Sequence, residues 1–272
     1  MHRILLTALC SLVLTSTAFA EVNTAHPLGF PTAIGPVAEE ITLTYNLIFW
    51  ICLAVFAVVQ ILILYAIFKF RRSKNPVPAT FSHNNLVEVA WTAVPVLICA
   101  VIAWVSFDAM KLIRTMPEDG ETIEAIAYQF GWEFDYPDYN ISSPEAEKAH
   151  VQLSSAGVDR YVKDIVVPVD TNIVMHITGR DVIHAFYAPD LGVKIDAIPG
   201  RINYAWFKAT KEGDYIGQCA ELCGAAHGEM FFNVKVVSKP AYKAWVNAQR
   251  AENGDTPVDF SNMPSATMAM SK

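Results

Sequence analysis

Two thiols, an imidazole and a thioether fall within twelve residues: Cys219, Cys223, His227 and Met230, at spacings of four, four and three. Thiolate and thioether sulfur favour soft metals, and a Cys, His and Met set completed by a second His is the ligand set of an electron-transfer copper site. Cys223, His227 and Met230 alone suit a single copper. Cys219 changes the count, because two thiolates can bridge two metal ions, each of which then needs one further nitrogen. Two cysteines in an oxidising compartment also commonly pair as a disulfide, and that alternative stands beside the metal reading.

The second imidazole has to come from elsewhere in the chain. His184, in the run Arg180, Asp181, Val182, Ile183, His184, is the candidate, about thirty-five residues upstream of Cys219 and at the expected end of a strand. The other histidines are worse placed: His2 in the targeting segment, His26 near the mature N-terminus, His83 between two hydrophobic stretches, His150 in a polar insert and His176 inside a strand-like run. His184 is therefore preferred mainly by elimination.

Cys219, Glu221, Cys223, His227 and Met230, with His184 upstream, resemble the binuclear CuA site of subunit II of the haem-copper cytochrome c oxidases. The resemblance covers nearly the whole mature chain. It implies that the Cys219 and Cys223 thiolates bridge both coppers, that His184 and His227 take one copper each, and that Met230 ligates one while the Glu221 main-chain carbonyl ligates the other. It further implies that the Glu221 carboxylate binds a magnesium ion shared with subunit I, the haem-copper catalytic subunit. Electrons would arrive from a soluble or tethered c-type cytochrome and pass to haem in subunit I, where oxygen is reduced to water in a proton-translocating complex.

The remaining family landmarks are less uniform. The stretch from Lys194 to Arg201 matches the family, in which it packs near the copper and the catalytic subunit and its Asp, at the place of Asp196, contributes to the donor-facing side. In many relatives an exposed Trp receives the electron in a Gln, Trp, any, Trp pattern, whereas this chain reads Gln129, Phe130, Gly131, Trp132. Phe130 then holds the receiving position, and Trp132 reads as core. Arg180 stands where some relatives carry an acid, so Asp181 and Asp196 are left as the acidic docking groups and the donor's identity is open.

Positioning such a site takes an anchored, exported domain. With 53% hydrophobic and 17% charged residues, the 272-residue chain is too apolar for an ordinary soluble protein. Residues 1–20 have a basic start at Arg3, an apolar run and small residues at Ala18 and Ala20, as in a secretory signal cleaved after Ala20. An uncleaved anchor is the rival. An exported segment is expected over 21–43, membrane helices over 44–70 and 86–108 with a cytoplasmic loop at 71–85, and a linker over 109–120. Leu47 to Phe68 is twenty-two residues without a charge, enough to cross a hydrocarbon core of about 30 Å. Lys69, Arg71, Arg72 and Lys74 follow at once and place the loop inside. The second span, Val89 to Phe107, contains Pro95 and returns outward, with Trp91 and Trp104 near its ends as interface anchors or subunit contacts. Glu88 at its inner edge is a solvated carboxylate or, as the resemblance implies, the mouth of a proton channel into subunit I.

From Asp108 onward there are 23 acidic and 15 basic residues, a net charge of −8 with histidines neutral. Such a surface suits a basic protein partner and gives nucleic acid no footing. Short runs rich in β-branched and aromatic residues, Thr122 to Tyr136, Ile165 to Ile177, Asn203 to Ala209, Asp214 to Cys219 and Met230 to Val237, predict a compact all-β sandwich. The expected fold is thus a two-helix transmembrane hairpin followed by a cupredoxin-like sandwich over 121–240. Asp138 to Val158 reads as a surface insertion, Ala241 to Arg250 as one short helix, and the rest of 241–272 as a polar tail containing Met263, Met268 and Met270. Cys10 goes with the signal and Cys52 and Cys99 lie in the spans, so the exported part has no disulfide framework. No CxxCH occurs, so no covalently attached haem is expected.

The expected function is electron transfer in a terminal oxidase at the bacterial inner membrane, with the copper domain on the periplasmic face. The alternatives are a CuA subunit of a related complex such as a nitric oxide reductase, and a membrane-anchored copper carrier.

Overall fold

The computed structural model describes residues 31–142, 147–151 and 158–260. The expected signal over 1–20 and the methionines at 263, 268 and 270 lie outside the described residues.

Two long helices come first. Helix α1, Pro36–Lys69, begins well before the uncharged run, because Pro36 at the first helical position and Glu39 in the first turn suit a helix N-terminus. Helix α2, Asn85–Arg114, opens on a reciprocal cap: Asn84 Oδ1 accepts from the backbone N–H groups of Leu86 and Val87, and Glu88 Oε1 accepts from the Asn84 N–H at 3.0 Å. It runs on through 109–114, where a linker was expected. Ala, Met, Lys, Leu, Ile and Arg are good helix formers or tolerated ones, and no breaker occurs before Pro117. Pro95 sits inside this helix without ending it. Neither helix buries its apolar middle within the chain, so both are long and apolar enough to cross a membrane and turn their side chains outward.

Eleven strands follow among the described residues: β1 Glu121–Tyr128, β2 Gly131–Tyr136, β3 Ile141–Ser142, β4 Glu147–Val151, β5 Val158–Pro168, β6 Asn172–Gly179, β7 His184–Ala188, β8 Val193–Ala197, β9 Asn203–Lys208, β10 Gly213–Cys219 and β11 Phe231–Val237. They form two sheets, ordered β3-β2-β1-β6-β9 and β4-β5-β11-β10-β7-β8. The pairs β1 with β6 and β5 with β11 are parallel and the others antiparallel. Two expectations about segments are revised. The run Ile165 to Ile177 is two strands, broken at Val169–Thr171, where Asp170 takes a positive φ of 53°. The supposed insertion also contains β3 and β4, the latter paired along the edge of β5.

Alternation of buried and half-buried residues in β1 and β2 sends Ile123, Ala125, Ala127, Trp132, Phe134 and Tyr136 into the core. Trp132 and Phe134 there meet Phe186 and Phe232 of the facing sheet, with the Phe186 and Phe232 rings stacked at 4.4 Å. A terminal helix, α3 Lys239–Glu252, is capped by Ser238 and buries Tyr242 and Val246 against the end of the sandwich that holds Glu121.

The sandwich is fastened to both membrane helices. The Ile34 N–H donates to Asp190 O at 2.8 Å, and the Trp206 indole N–H donates to Leu112 O at 3.1 Å near the end of α2. Gly35, at φ 120°, presses on the Lys208 carbonyl so closely that a Cβ would lie 1.8 Å from its oxygen. Only glycine permits that approach.

Candidate metal centre

The ligand candidates converge because two strands and one loop end at the same point. Cys219 closes β10 and pairs with Phe186 of β7, two residues after His184. The Cys219 N–H donates to Met230 O at 2.9 Å, and the Ala220 N–H donates to Ala185 O at 3.0 Å. The loop between them is folded back by a short helical turn, His227–Glu229, which brings His227 over Cys223.

The resulting distances are short and mutual. Cys219 Sγ lies 3.9 Å from His184 Nδ1, 3.9 Å from Cys223 Sγ and 3.3 Å from the Glu221 carbonyl oxygen. Cys223 Sγ lies 3.5 Å from His227 Nδ1 and 3.3 Å from Met230 Sδ. His184 is fully buried, Cys219, Cys223 and Met230 nearly so, and His227 half-buried. His184, Cys219 and Cys223 alone place three ligand atoms within 4.8 Å of one another. The sulfur separation of 3.9 Å is far beyond the roughly 2.05 Å of a disulfide, and both thiols are free. An ion at the usual sulfur distance of about 2.3 Å can touch both. The buried donors fit a soft metal.

Around this cluster the chain orients its own groups. Asp181 Oδ1 lies 2.9 Å from His184 Nε2 and accepts from the Val182 N–H, while Oδ2 accepts from the Gln129 N–H at 2.8 Å. The hydrogen bond from His184 holds the Asp181 carboxyl down at about 2. With Nε2–H donated to Asp181, the Nδ1 lone pair is left facing Cys219 Sγ. Burial, with the Cys219 thiol beside it, pushes the Cys223 thiol up to about 11. Soft-metal binding there must displace a proton.

The residues expected to meet a donor are spread over different settings. Phe130 is exposed and its ring lies against the loop at Gly224, where φ is 138° and a Cβ would come within 3.0 Å of that ring. Trp132 is buried beneath the loop, its indole N–H 3.4 Å from Met230 O, so it has no surface to offer a partner. Asp196 is exposed on β8. Asp181 is exposed, yet its two oxygens are already engaged. Arg180 pairs with Glu133 and lies 5.3 Å from the Tyr128 ring centroid. Glu221 is exposed at the rim, and Glu88 sits far away in the first turn of α2. Sequence reasoning missed Gln129, whose backbone and side chain hold Asp181 and the Cys223 carbonyl. The spacing of Asp181 three residues before His184 was the available signal for the orienting acid.

Comparison with known proteins follows these divisions. Residues 121–237 match the family described as cytochrome c oxidase subunit II, periplasmic domain, and residues 23–109 match its transmembrane domain. A cytochrome c oxidase subunit 2 from Cereibacter sphaeroides is 40% identical over 82% of this chain and 80% of its own length. The chain belongs to the cytochrome c oxidase subunit II family. A probable cytochrome c oxidase subunit 2 from Rickettsia prowazekii is 37% identical over 90% of this chain and 79% of its own length. The crystal structure of the periplasmic domain of subunit II from Bradyrhizobium japonicum shares 40% sequence identity, covers 51% of this chain and 99% of that one, and has a TM-score of 0.44. As a subunit II, the chain is a two-pass membrane protein with a cupredoxin-like β-sandwich, an electron-transport component of an oxidoreductase complex. Its His184, Cys219 and Cys223 group supports copper binding in that domain.

Proposed function

We propose that six groups of this subunit II hold a binuclear copper centre that takes electrons from a periplasmic c-type cytochrome and passes them to haem in subunit I, where oxygen is reduced to water. The observation that carries this reading is the convergence of two unpaired thiols, two imidazoles, a thioether and the Glu221 carbonyl at one buried point. Cys219 and Cys223 would bridge, His184 and His227 would each bind one copper, and Met230 and the Glu221 carbonyl would complete the set. Such a copper pair, when bound, exchanges one electron with its charge shared over both metals.

The chain's own residues keep the site from reorganising. Asp181 fixes the His184 ring, Trp132 holds the Met230 backbone, and Gln129 holds the carbonyl of Cys223. Phe130, on the surface and against the loop, is the position for donor contact, with Asp196 nearby in function as an acidic docking group. The exposed Glu221 carboxylate is free to reach a magnesium ion shared with subunit I. Glu88 is the proton uptake group on the opposite side of the membrane. Burial of the ligands opposes the copper-carrier alternative, which needs a releasable site.

The test is electron paramagnetic resonance on the full chain in detergent, reconstituted with copper. Two coppers per chain sharing one unpaired electron, seen as seven hyperfine lines, are expected, and Cys223→Ser should abolish that pattern. A four-line, single-copper spectrum would overturn the binuclear reading.

A further inference from the structure

We infer that protonation of the Glu121 carboxyl latches the terminal helix α3 onto the β-sandwich, and that the helix opens more often as pH rises. Glu121 is the first residue of β1, at the end of the sandwich where α3 packs. Tyr242 of α3 and Tyr139 of the short turn Pro137–Tyr139 stand beside its carboxyl. None of these residues belongs to the metal centre.

Two buried atoms of this cluster lack a partner. Tyr242 is 2% exposed, and its hydroxyl, like Glu121 Oε2, makes no hydrogen bond among the described residues. An orphaned buried oxygen costs far less in a neutral carboxyl than in a carboxylate. Closing α3 over Glu121 therefore favours the protonated acid, and burial raises this carboxyl above its ordinary value. The charged neighbours act in opposite senses: Asp138 opposes ionisation, and Lys239 at the start of α3 favours it. The other titratable neighbours, Tyr136, Tyr139 and Tyr242, are themselves kept neutral by burial.

With α3 open, Glu121 meets solvent and ionises as an ordinary carboxylate; with α3 closed it holds its proton more tightly. Docking is therefore strongest below the ordinary carboxylate range and weakens as pH rises through the raised closed-state value. The helix is otherwise held by apolar packing. Val246 is fully buried, and the Trp245 ring lies 5.1 Å from Tyr136 and 5.8 Å from Tyr242. Arg250 donates to the carbonyls of Tyr139 and Thr256, and the Phe260 ring lies 6.0 Å from Tyr139. Glu121 thus sets how often α3 opens, and the segment up to Phe260 is tied to the same anchor.

Hydrogen exchange of the full chain in detergent, corrected for the intrinsic pH dependence of exchange and followed from about pH 4 to about pH 8, tests the latch. Amides of α3 should exchange faster than those of β6 and β11, showing that the helix opens by itself, and their protection should fall as pH rises. In Glu121→Gln that protection should stay level. Tyr242→Phe removes a phenol that lowers the Glu121 carboxyl, so there the fall should move to higher pH. Near-ultraviolet circular dichroism should confirm that each variant is folded. Exchange of α3 at the rate of the strands would mean that it opens only with the whole domain, and would overturn the proposal. Protection independent of pH, a fall that persists in Glu121→Gln, or an unshifted fall in Tyr242→Phe would overturn it as well.

Discussion

Asp181 Oδ1 and His184 Nε2, three positions apart in the chain, lie 2.9 Å from each other. The same carboxylate takes the Gln129 N–H through its other oxygen, so one acid joins the β1–β2 turn to the buried imidazole. Asp181, expected to dock a partner, also orients the buried His184 imidazole.

Asp181→Asn keeps the shape of this clamp and removes its charge. Copper affinity should fall about 10- to 100-fold, the usual effect of losing a partner of a ligating histidine. Competition against a copper chelator measures it, and affinity equal to that of the natural chain would refute the orienting role.

Phe130 and Trp132 sit two residues apart but should fail differently. Trp132→Ala empties a fully buried site ringed by Phe134, Phe186 and Phe232, and should cost about 3–5 kcal/mol in denaturant unfolding. Phe130→Ala should leave stability within about 1 kcal/mol. It should instead slow electron arrival from a reduced c-type cytochrome about tenfold, equivalent to about 1.4 kcal/mol of barrier. Stopped-flow mixing separates the two, and a normal rate for Phe130→Ala would move donor contact elsewhere.

Glu121 gives the β-domain a pH dependence. Burial raises its carboxyl above the ordinary value, against the lowering effect of Tyr242 and Tyr139 beside it, and its Oε2 has no hydrogen-bond partner among the described residues. The native state therefore holds this proton more tightly than the unfolded chain. Its stabilising share is complete below the unfolded carboxylate range and is lost as pH rises through the raised native value. Glu121→Gln should match the natural chain in acid and be the more stable at neutral pH. Thermal unfolding across roughly pH 4 to 8 checks this, and parallel curves would contradict it.

Glu88→Gln should slow proton-coupled turnover of the assembled oxidase while copper reduction by the donor stays intact. Glutamine can still accept from the Asn84 N–H, so the start of α2 should hold. Full turnover in the variant would return Glu88 to the role of a helix cap.

Much of this was legible in residue order, because local chemistry writes local signals. Uncharged runs of membrane length, the Cys219 to Met230 spacing and the alternation in β1 and β2 each reflect neighbours along the chain. The helix bounds were less legible. Both helices run beyond their uncharged stretches, and Val37, Ala38 and Ala109 are buried in those extensions.

The sequence by itself determined which donors exist, that they are soft, and that two apolar spans precede them. Only the tertiary structure decided that His184 faces Cys219, that the thiols stay 3.9 Å apart and that Asp181 is spent on an imidazole. His184 and Cys219 are separated by 35 positions, and strand pairing, not sequence spacing, sets the distance between them.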